Sequence, residues 1–518
     1  MSIQTKLTVA VAAAAGALLL PALASATVTP LAIPAIPGVA AAPGVAAAPS
    51  TAAATMGSLQ MSPDVGFAGK SFTVSGVSLP PNTDVTLVWG TANVTWVVDA
   101  RPDSVDYLGR QATKIQTVLG TAKTDSTGSF STKVVAPSDF GGIHDIYAVV
   151  GGVQLAHGGF LIQRTASISP KSGPIGTMIT VTYTGLGSSL YEGGASLLYD
   201  NKFAGALMAN WTRSTAVAHI RASGPVGKHT IEVADAISFK YLNVQQSPIP
   251  WATGFKMAFT VTKDLGRPKP QIDWPAQIAP TLDAKTTMQL TAVTAGSSAS
   301  AQLASSAGPV NTKVPLTATG LTPSTPVSLV WSTVVGNRVN CTGTCWTFAS
   351  IPLTSATAGA DGTLSAAVQV PDGLGGWHVV QLLQDGQVKA QVPYYVKRSF
   401  DAKPLSSLVL HEGQHFTVHL KGLGWTQLDN TIAVDYDNSY VGYGCGFNSQ
   451  GDVVMNLIAT GGPGTHLIDM YPLLYTQQPS YPNTPYGMIP VLTYAKDFPG
   501  LALGYDLPAM RLAITIVK

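Results

Sequence analysis

The feature that most constrains this chain is an internal duplication. Val85-Thr86-Leu87-Val88-Trp89 returns as Val327-Ser328-Leu329-Val330-Trp331, 242 residues later. Gly141-Gly142-Ile143-His144 returns as Gly375-Gly376-Trp377-His378 and Gln163-Arg164 as Lys397-Arg398, both at an offset of 234, so one loop has lost eight residues. A second unit intervenes. Thr180-Val181 and Gly185-Leu186-Gly187 match Thr417-Val418 and Gly422-Leu423-Gly424, and Tyr199-Asp200-Asn201 matches Tyr436-Asp437-Asn438, all at 237. Lys263-Asp264 and Lys496-Asp497 close the two copies. Self-similarity at this spacing means that each repeat must bury its own core or stack on its neighbour. The predicted order is A-B-A′-B′, with A over 57–164, B over 165–264, a connector over 265–300, A′ over 301–398 and B′ with a C-terminal strand over 399–518.

Within each unit, short alternating segments such as Phe72-Thr73-Val74 and Thr363 to Val368 are separated by turn signals such as Ser126-Thr127-Gly128 and Asp361-Gly362. That rhythm predicts an all-β chain of antiparallel sandwiches. Composition agrees: 52 Gly and 36 Pro favour turns, and Glu, a good helix former, occurs only at Glu192, Glu232 and Glu412. All four units also carry Gly-x-His before an apolar strand, at His144, His229, His378 and His466. Recurrence at one repeat position predicts a fold role, the ring packing on the sandwich while a nitrogen caps a loop. Trp89 and Trp331, at equivalent strand positions, are expected in the cores.

The chain opens with Lys6, an apolar run from Leu7 to Leu20, Pro21 and Ala24-Ser25-Ala26. This has the charge, core and cleavage pattern of a secretory signal over 1–26, and the run is shorter than the roughly 20 residues that span a bilayer. Residues 27–56, without a charge, read as a Pro/Ala/Gly-rich spacer. The expectation is export to the extracellular space or cell surface, the periplasm being the other compartment open to it, with no transmembrane segment after the signal is removed. Lys+Arg number 29 against 27 Asp+Glu, and only 11% of residues are charged. No basic stripe is available for a phosphate backbone, which excludes nucleic acid as a partner.

The segment SISPKSGPIGTMITVTYTGLG, Ser167 to Gly187, resembles the opening of bacterial IPT/TIG-type immunoglobulin-like repeats, with their Ser-Pro, Gly-Pro and Gly-Thr turn, Thr-Val strand and Gly-x-Gly end. In B′ the turn differs, since Pro174-Ile175 becomes His411-Glu412, and the A units carry no diagnostic motif. The resemblance implies tandem immunoglobulin-like sandwiches, a fold whose members serve as spacers or adhesive modules at cell surfaces. It brings over no catalytic residue.

His411-Glu412-Gly413-Gln414-His415 matches H-E-x-x-H, whose zinc chemistry needs a helix to set both histidines on one face. Alignment of 414–420 with the alternating segment 177–183 predicts a strand instead, placing His415 and His419 roughly 13 Å apart at 3.3 Å per residue. A metalloenzyme is therefore the remote reading, and no cofactor is assigned. Cys341 and Cys345 form a candidate loop disulfide. Cys445 aligns with Met208, which predicts a buried or semi-buried free thiol. Asp99, Asp103 and Asp106 read as a solvated acidic loop in the segment that A′ shortens. Asn93, Asn210 and Asn340 sit in glycosylation sequons.

The leading expectation is a secreted, non-enzymatic surface or extracellular protein that acts by adhesion or assembly, its partners being an envelope component or further copies of itself. The alternative is a glycan binder that stacks sugars on Trp96, Trp211, Trp346, Trp425, Tyr440 or Tyr443, in a Tyr-rich region that also contains Tyr471 and Tyr475.

Overall fold

Alternating burial along short segments is what turns this sequence into strands. Ser71–Val77 buries Phe72, Val74 and Gly76 and leaves the residues between them outside, and Lys313–Thr319 repeats the pattern. The computed structural model describes residues 57–101, 104–189, 192–235, 239–240, 242–246, 254–275, 291–336, 346–476 and 487–518. These belong to a single compact unit, Thr55–Lys518. Among them the only helical pieces are two short 3-10 turns, Val244–Gln246 and Pro499–Leu503, so the chain is all-β as its composition predicts. The signal, the spacer, residues 276–290 of the connector and both Cys341 and Cys345 lie outside the described residues.

Unit B shows the architecture most plainly. One sheet runs Thr215–Arg221, Met178–Thr184, Thr165–Ser169, and the facing sheet runs Ser172–Gly173, Phe255–Val261, Gly227–Asp235, Gly194–Tyr199, Lys202–Met208. The first strand switches sheets, and its second half pairs parallel to the last strand. Three strands against five, with that switch, is the immunoglobulin strand order. The same order recurs in 300–396, where Ala307–Gly308 pairs parallel to Gln387–Val396, and in 399–517, where Val409–His411 pairs parallel to Ala509–Val517. In 57–162 the two sheets are joined into one eight-stranded sheet, because Gly57–Ser62 also pairs with Val153–Ile162. Separate apolar cores fill the sandwiches, with Trp89 and Trp331 inside as expected.

Two features pull the sandwiches together. In B and B′ the central strands Gly194–Tyr199 and Thr431–Tyr436 are buried along their whole length, on both faces. One face of each meets its own core, and the other belongs to the seam between B and B′, where Phe203 meets Tyr440 with ring centroids 6.4 Å apart. A single apolar cluster takes residues from all four units, among them Trp96, Leu197, Trp377 and Tyr471. The second feature is an arm. Asp84–Arg101 and Ser104–Lys123 pair continuously from Asp84 with Lys123 to Arg101 with Ser104, a hairpin that outgrows its sandwich. Of the acidic residues expected in a solvated loop, Asp99 and Asp106 pair in register in the outer part of this arm, and Asp103 lies outside the described residues. The arm docks on its neighbours because its apolar side chains, led by Trp96, find cover there.

Candidate functional site

The four Gly-x-His histidines make one device four times. Each ring stacks on an aromatic of the neighbouring central strand: His144 on Trp89 at 4.4 Å, His229 on Tyr199 at 5.4 Å, His378 on Trp331 at 4.8 Å and His466 on Tyr436 at 5.7 Å. Each Nε2 lies within 2.7–2.9 Å of the carbonyl four residues back, that of Phe140, Pro225, Leu374 or Gly462. The Nδ1 partners divide the units. In A and A′ they are the carbonyls of Gly90 and Ser332, at 2.9 and 3.1 Å. In B and B′ they are Asp200 and Asp437, both at 2.6 Å. Burial therefore pushes His378 down to about 4. His466 moves the other way: burial opposes protonation, but Asp437, the Gly462 carbonyl and Asp264 outweigh it. A loop plug is what the sequence predicts, and the carboxylate partner is what it did not reveal.

The seam between B and B′ holds the densest buried charge. Arg511, fully buried, donates to Asp273 and to the hydroxyl of Tyr471 at 3.2 Å, and pairs with Asp469 at 3.2 Å. Arg221, 3% exposed, pairs with the other oxygen of Asp469 at 2.5 Å and donates to the Leu512 carbonyl at 2.6 Å. Asp435 lies directly across the ladder from Asp469. Its carboxyl is 1% exposed with neither oxygen hydrogen-bonded. Burial and the charge of Asp469 raise its pKa well above the ordinary carboxylate value, against the pull of Arg511. None of these charged residues was singled out from sequence. The available signal was a charged residue inside an apolar strand, as in Leu467-Ile468-Asp469-Met470 and Ala509-Met510-Arg511-Leu512.

The arm adds a third joint. Trp96 Nε1 donates to Asp497 Oδ1 at 2.8 Å, and the other oxygen accepts the Asn210 backbone N–H. Tyr107 N donates to Gln427 at 2.7 Å and Arg110 to the Gly193 carbonyl at 3.1 Å, so one hairpin of A touches both B and B′. Burial lifts Asp497 to about 6 even though it accepts these bonds. At the junction of A′ and B′, Arg398 donates to the carbonyls of Asp429 and Thr431 at 2.6 and 2.9 Å. Burial likewise raises Asp429 to about 6, opposed by the bonds from Thr426 and the charge of Arg398.

Against this geometry several expected residues change role. Trp96 and Trp425 are 6% and 1% exposed, so neither can stack a sugar: the first fills the arm joint and the second packs with Val334, Leu374 and Phe447. Trp211 is half-buried edge-on to Trp96, Tyr440 is half-buried beside Phe203, and Tyr471 is fully buried. The side chains of Trp346 and Tyr475 lie outside the described residues. Tyr443 is exposed. Cys445, expected to be a buried or semi-buried free thiol, is free but exposed, because its strand is the outer edge of the sheet. His411 ends one strand, Gly413 makes the turn at φ 80°, and His415 begins the next strand, so the H-E-x-x-H segment is not helical. Among the described residues, no group of three or more His, Cys, Asp or Glu is placed to hold a metal ion. Asn210 is buried, which closes that sequon in the folded chain, and Asn340 lies outside the described residues.

No protein-family model and no curated protein sequence matches the chain. Solved structures similar to it include invasin, a bacterial integrin-binding protein, at 12% identity over 84% of this chain and 79% of that one, with a TM-score of 0.17. A putative membrane anchored protein from Corynebacterium diphtheriae is 14% identical over 66% of this chain and 91% of that one, with a TM-score of 0.17. The alpha-2-macroglobulin of E. coli is 8% identical over 88% of this chain, with a TM-score of 0.17, and this chain spans 30% of its length. At such scores the likeness carries no functional argument, and the immunoglobulin-like assignment rests on strand order. No helix among the described residues is long and apolar enough to cross a membrane.

Proposed function

We propose that this chain is a non-enzymatic extracellular or cell-surface protein that works by contact, holding tandem immunoglobulin-like sandwiches in one fixed body and presenting their edges and loops to an envelope component. The observation that supports this most is where the buried ionisable groups are spent. Trp96 with Asp497, Arg221 with Asp469, and Arg398 beside Asp429 each join one sandwich to another. Buried ionic joints cost desolvation and fix geometry, which suits a platform more than a string of loose modules. The pairing of A with A′ and B with B′ is read as duplication followed by divergence of the arm and of the edge strands.

The experiment is co-sedimentation of the chain with isolated envelope of the producing organism, beside protein alone. Pelleting only with envelope supports the reading. Protein that stays in the supernatant in both tubes overturns it. The glycan-binding alternative keeps Tyr443 as the exposed ring among its described candidates. A glycan array signal lost on Tyr443→Ala would favour it.

A further inference from the structure

The edge strands of B and B′ are equivalent, yet one has a segment laid along it and the other, whose Tyr440 packs on Phe203, has none among the described residues. In B, Lys202–Met208 pairs with Gly194–Tyr199, with a bulge after the pair Leu197 and Gly205. In B′, Ser439–Cys445 pairs with Thr431–Tyr436, with the bulge after the pair Val434 and Gly442. Gly205 and Gly442 are thus the same position. On the outer side of the B edge lies an extended segment of B′: Ala206 bridges Val491 in parallel, and Leu492 N donates to the Ala206 carbonyl at 3.0 Å. The Leu492 side chain sits on the glycine, since a Cβ on Gly205 would meet its Cγ at 2.8 Å.

Among the described residues, nothing occupies that place in B′. A Cβ on Gly442 would find no atom within 4 Å. Ser439–Cys445 ends its sheet, without a charge or a proline to guard the edge. Natural edge strands are ordinarily protected by such residues, and a glycine in a strand often marks the approach of another backbone. Where B has Leu207, fully buried, B′ has Gly444. Met455 fills the place of that side chain, since a Cβ on Gly444 would meet its Sδ at 2.5 Å. A groove of about 670 Å³ opens between this edge and Val453–Ile458, lined by Gly442, Tyr443, Gly444, Asp452, Met455 and Leu457. Val441 and Val454 stand half exposed on its rim.

We infer that the Ser439–Cys445 edge is a strand-addition site, which takes an extended, uncharged aliphatic segment of a partner protein as the equivalent edge of B takes Pro490–Leu492. Main-chain hydrogen bonds to the outward groups of Tyr443 give affinity, and an aliphatic side chain over Gly442 gives selectivity. The inference stands apart from envelope binding: a chain that fails to pellet with envelope leaves the following measurement unaffected.

The probe is a fluorescent peptide with the sequence Gly487 to Ala495, GMIPVLTYA, titrated into the full chain and followed by anisotropy, with amide exchange as the second readout. The B edge is already filled by the chain itself, so the peptide meets the free edge. Saturable binding is expected, with slowed exchange over 439–445. Tyr443→Pro, which removes an outward N–H, and Val441→Lys, which charges the rim, should each weaken binding roughly tenfold or more. Amide exchange on wild-type protein keeps the test valid if either variant folds poorly. Absence of binding, binding unchanged in both variants, or protection elsewhere than 439–445 overturns the inference. A concentration-dependent dimer that protects 439–445 without peptide binding also overturns it, and assigns the edge to a second copy.

Discussion

Replacing Trp96 by Phe removes one hydrogen bond and leaves most of the ring's packing in the arm joint. The lost bond, Nε1 to Asp497 Oδ1 at 2.8 Å, is buried and sits about 400 residues away in sequence from its acceptor. At about pH 7.5 Asp497 is ionised, because its pKa lies at about 6. A hydrogen bond to a charged group is worth about 1.5–3 kcal/mol. If the arm opens as a unit, its opening equilibrium shifts by roughly 10- to 140-fold, at 1.4 kcal/mol per tenfold. Amide exchange over 94–110 should accelerate by that factor, while Ser71–Val77 in the core of A stays unchanged. Trp96→Ala also removes packing worth about 3–5 kcal/mol and should release the arm outright. In an Asp497→Ala background, Trp96→Phe should add almost nothing, since the partner is already gone. The reasoning fails if Trp96→Phe changes arm exchange by less than roughly threefold, or if the two substitutions are additive.

Asp429 titrates at about 6 in the fold against 3.8 for the free side chain, so the native state binds the extra proton between these values. Stability is therefore fully present below the lower value and falls as pH rises through about 6, by roughly 3 kcal/mol; denaturant midpoints should show that slope, and Asp429→Asn should flatten it. His466, raised by Asp437, contributes stability that is complete below pH 6.5 and is lost as pH rises through its folded value. Proton NMR titration should find its pKa lowered in Asp437→Asn, and an unchanged value would refute the pairing. Arg511→Leu takes the cation from Asp273 and leaves Asp469 with Arg221 alone, and should cost about 3–5 kcal/mol, part of it recovered by adding Asp273→Asn. Equal thermal stability of the single and double variants would count against that joint.

Much of the local structure is legible without coordinates. The alternation in Phe72-Thr73-Val74 sets a strand with those two apolar residues inside. The alignment of 414–420 with 177–183 identifies His415–Lys421 as a strand, and the recurrence of Gly-x-His marks four plugs. Trp96 and Cys445 show where this reading stops. Trp96 lies in the segment that has no counterpart in A′, so no repeat position assigns it to a core. Cys445 inherits the position of buried Met208, but the segment that covers the B edge has no equivalent on B′. A signal for the seam was present in the unbroken burial-prone runs Gly194-Ala195-Ser196-Leu197-Leu198 and Thr431-Ile432-Ala433-Val434, which fit strands covered on both faces.

The sequence by itself determined the all-β class, the strand rhythms and the histidine plugs, because each depends on residues a few positions apart or on composition. Tertiary structure alone decided which face meets which. The arm reaches Asp497, Arg221 of B reaches Asp469 of B′, and one edge is covered while its twin has no strand along it among the described residues. Alternation states that a side of a strand is buried, and it carries no information on the partner. That choice depends on packing and desolvation summed over residues hundreds of positions apart.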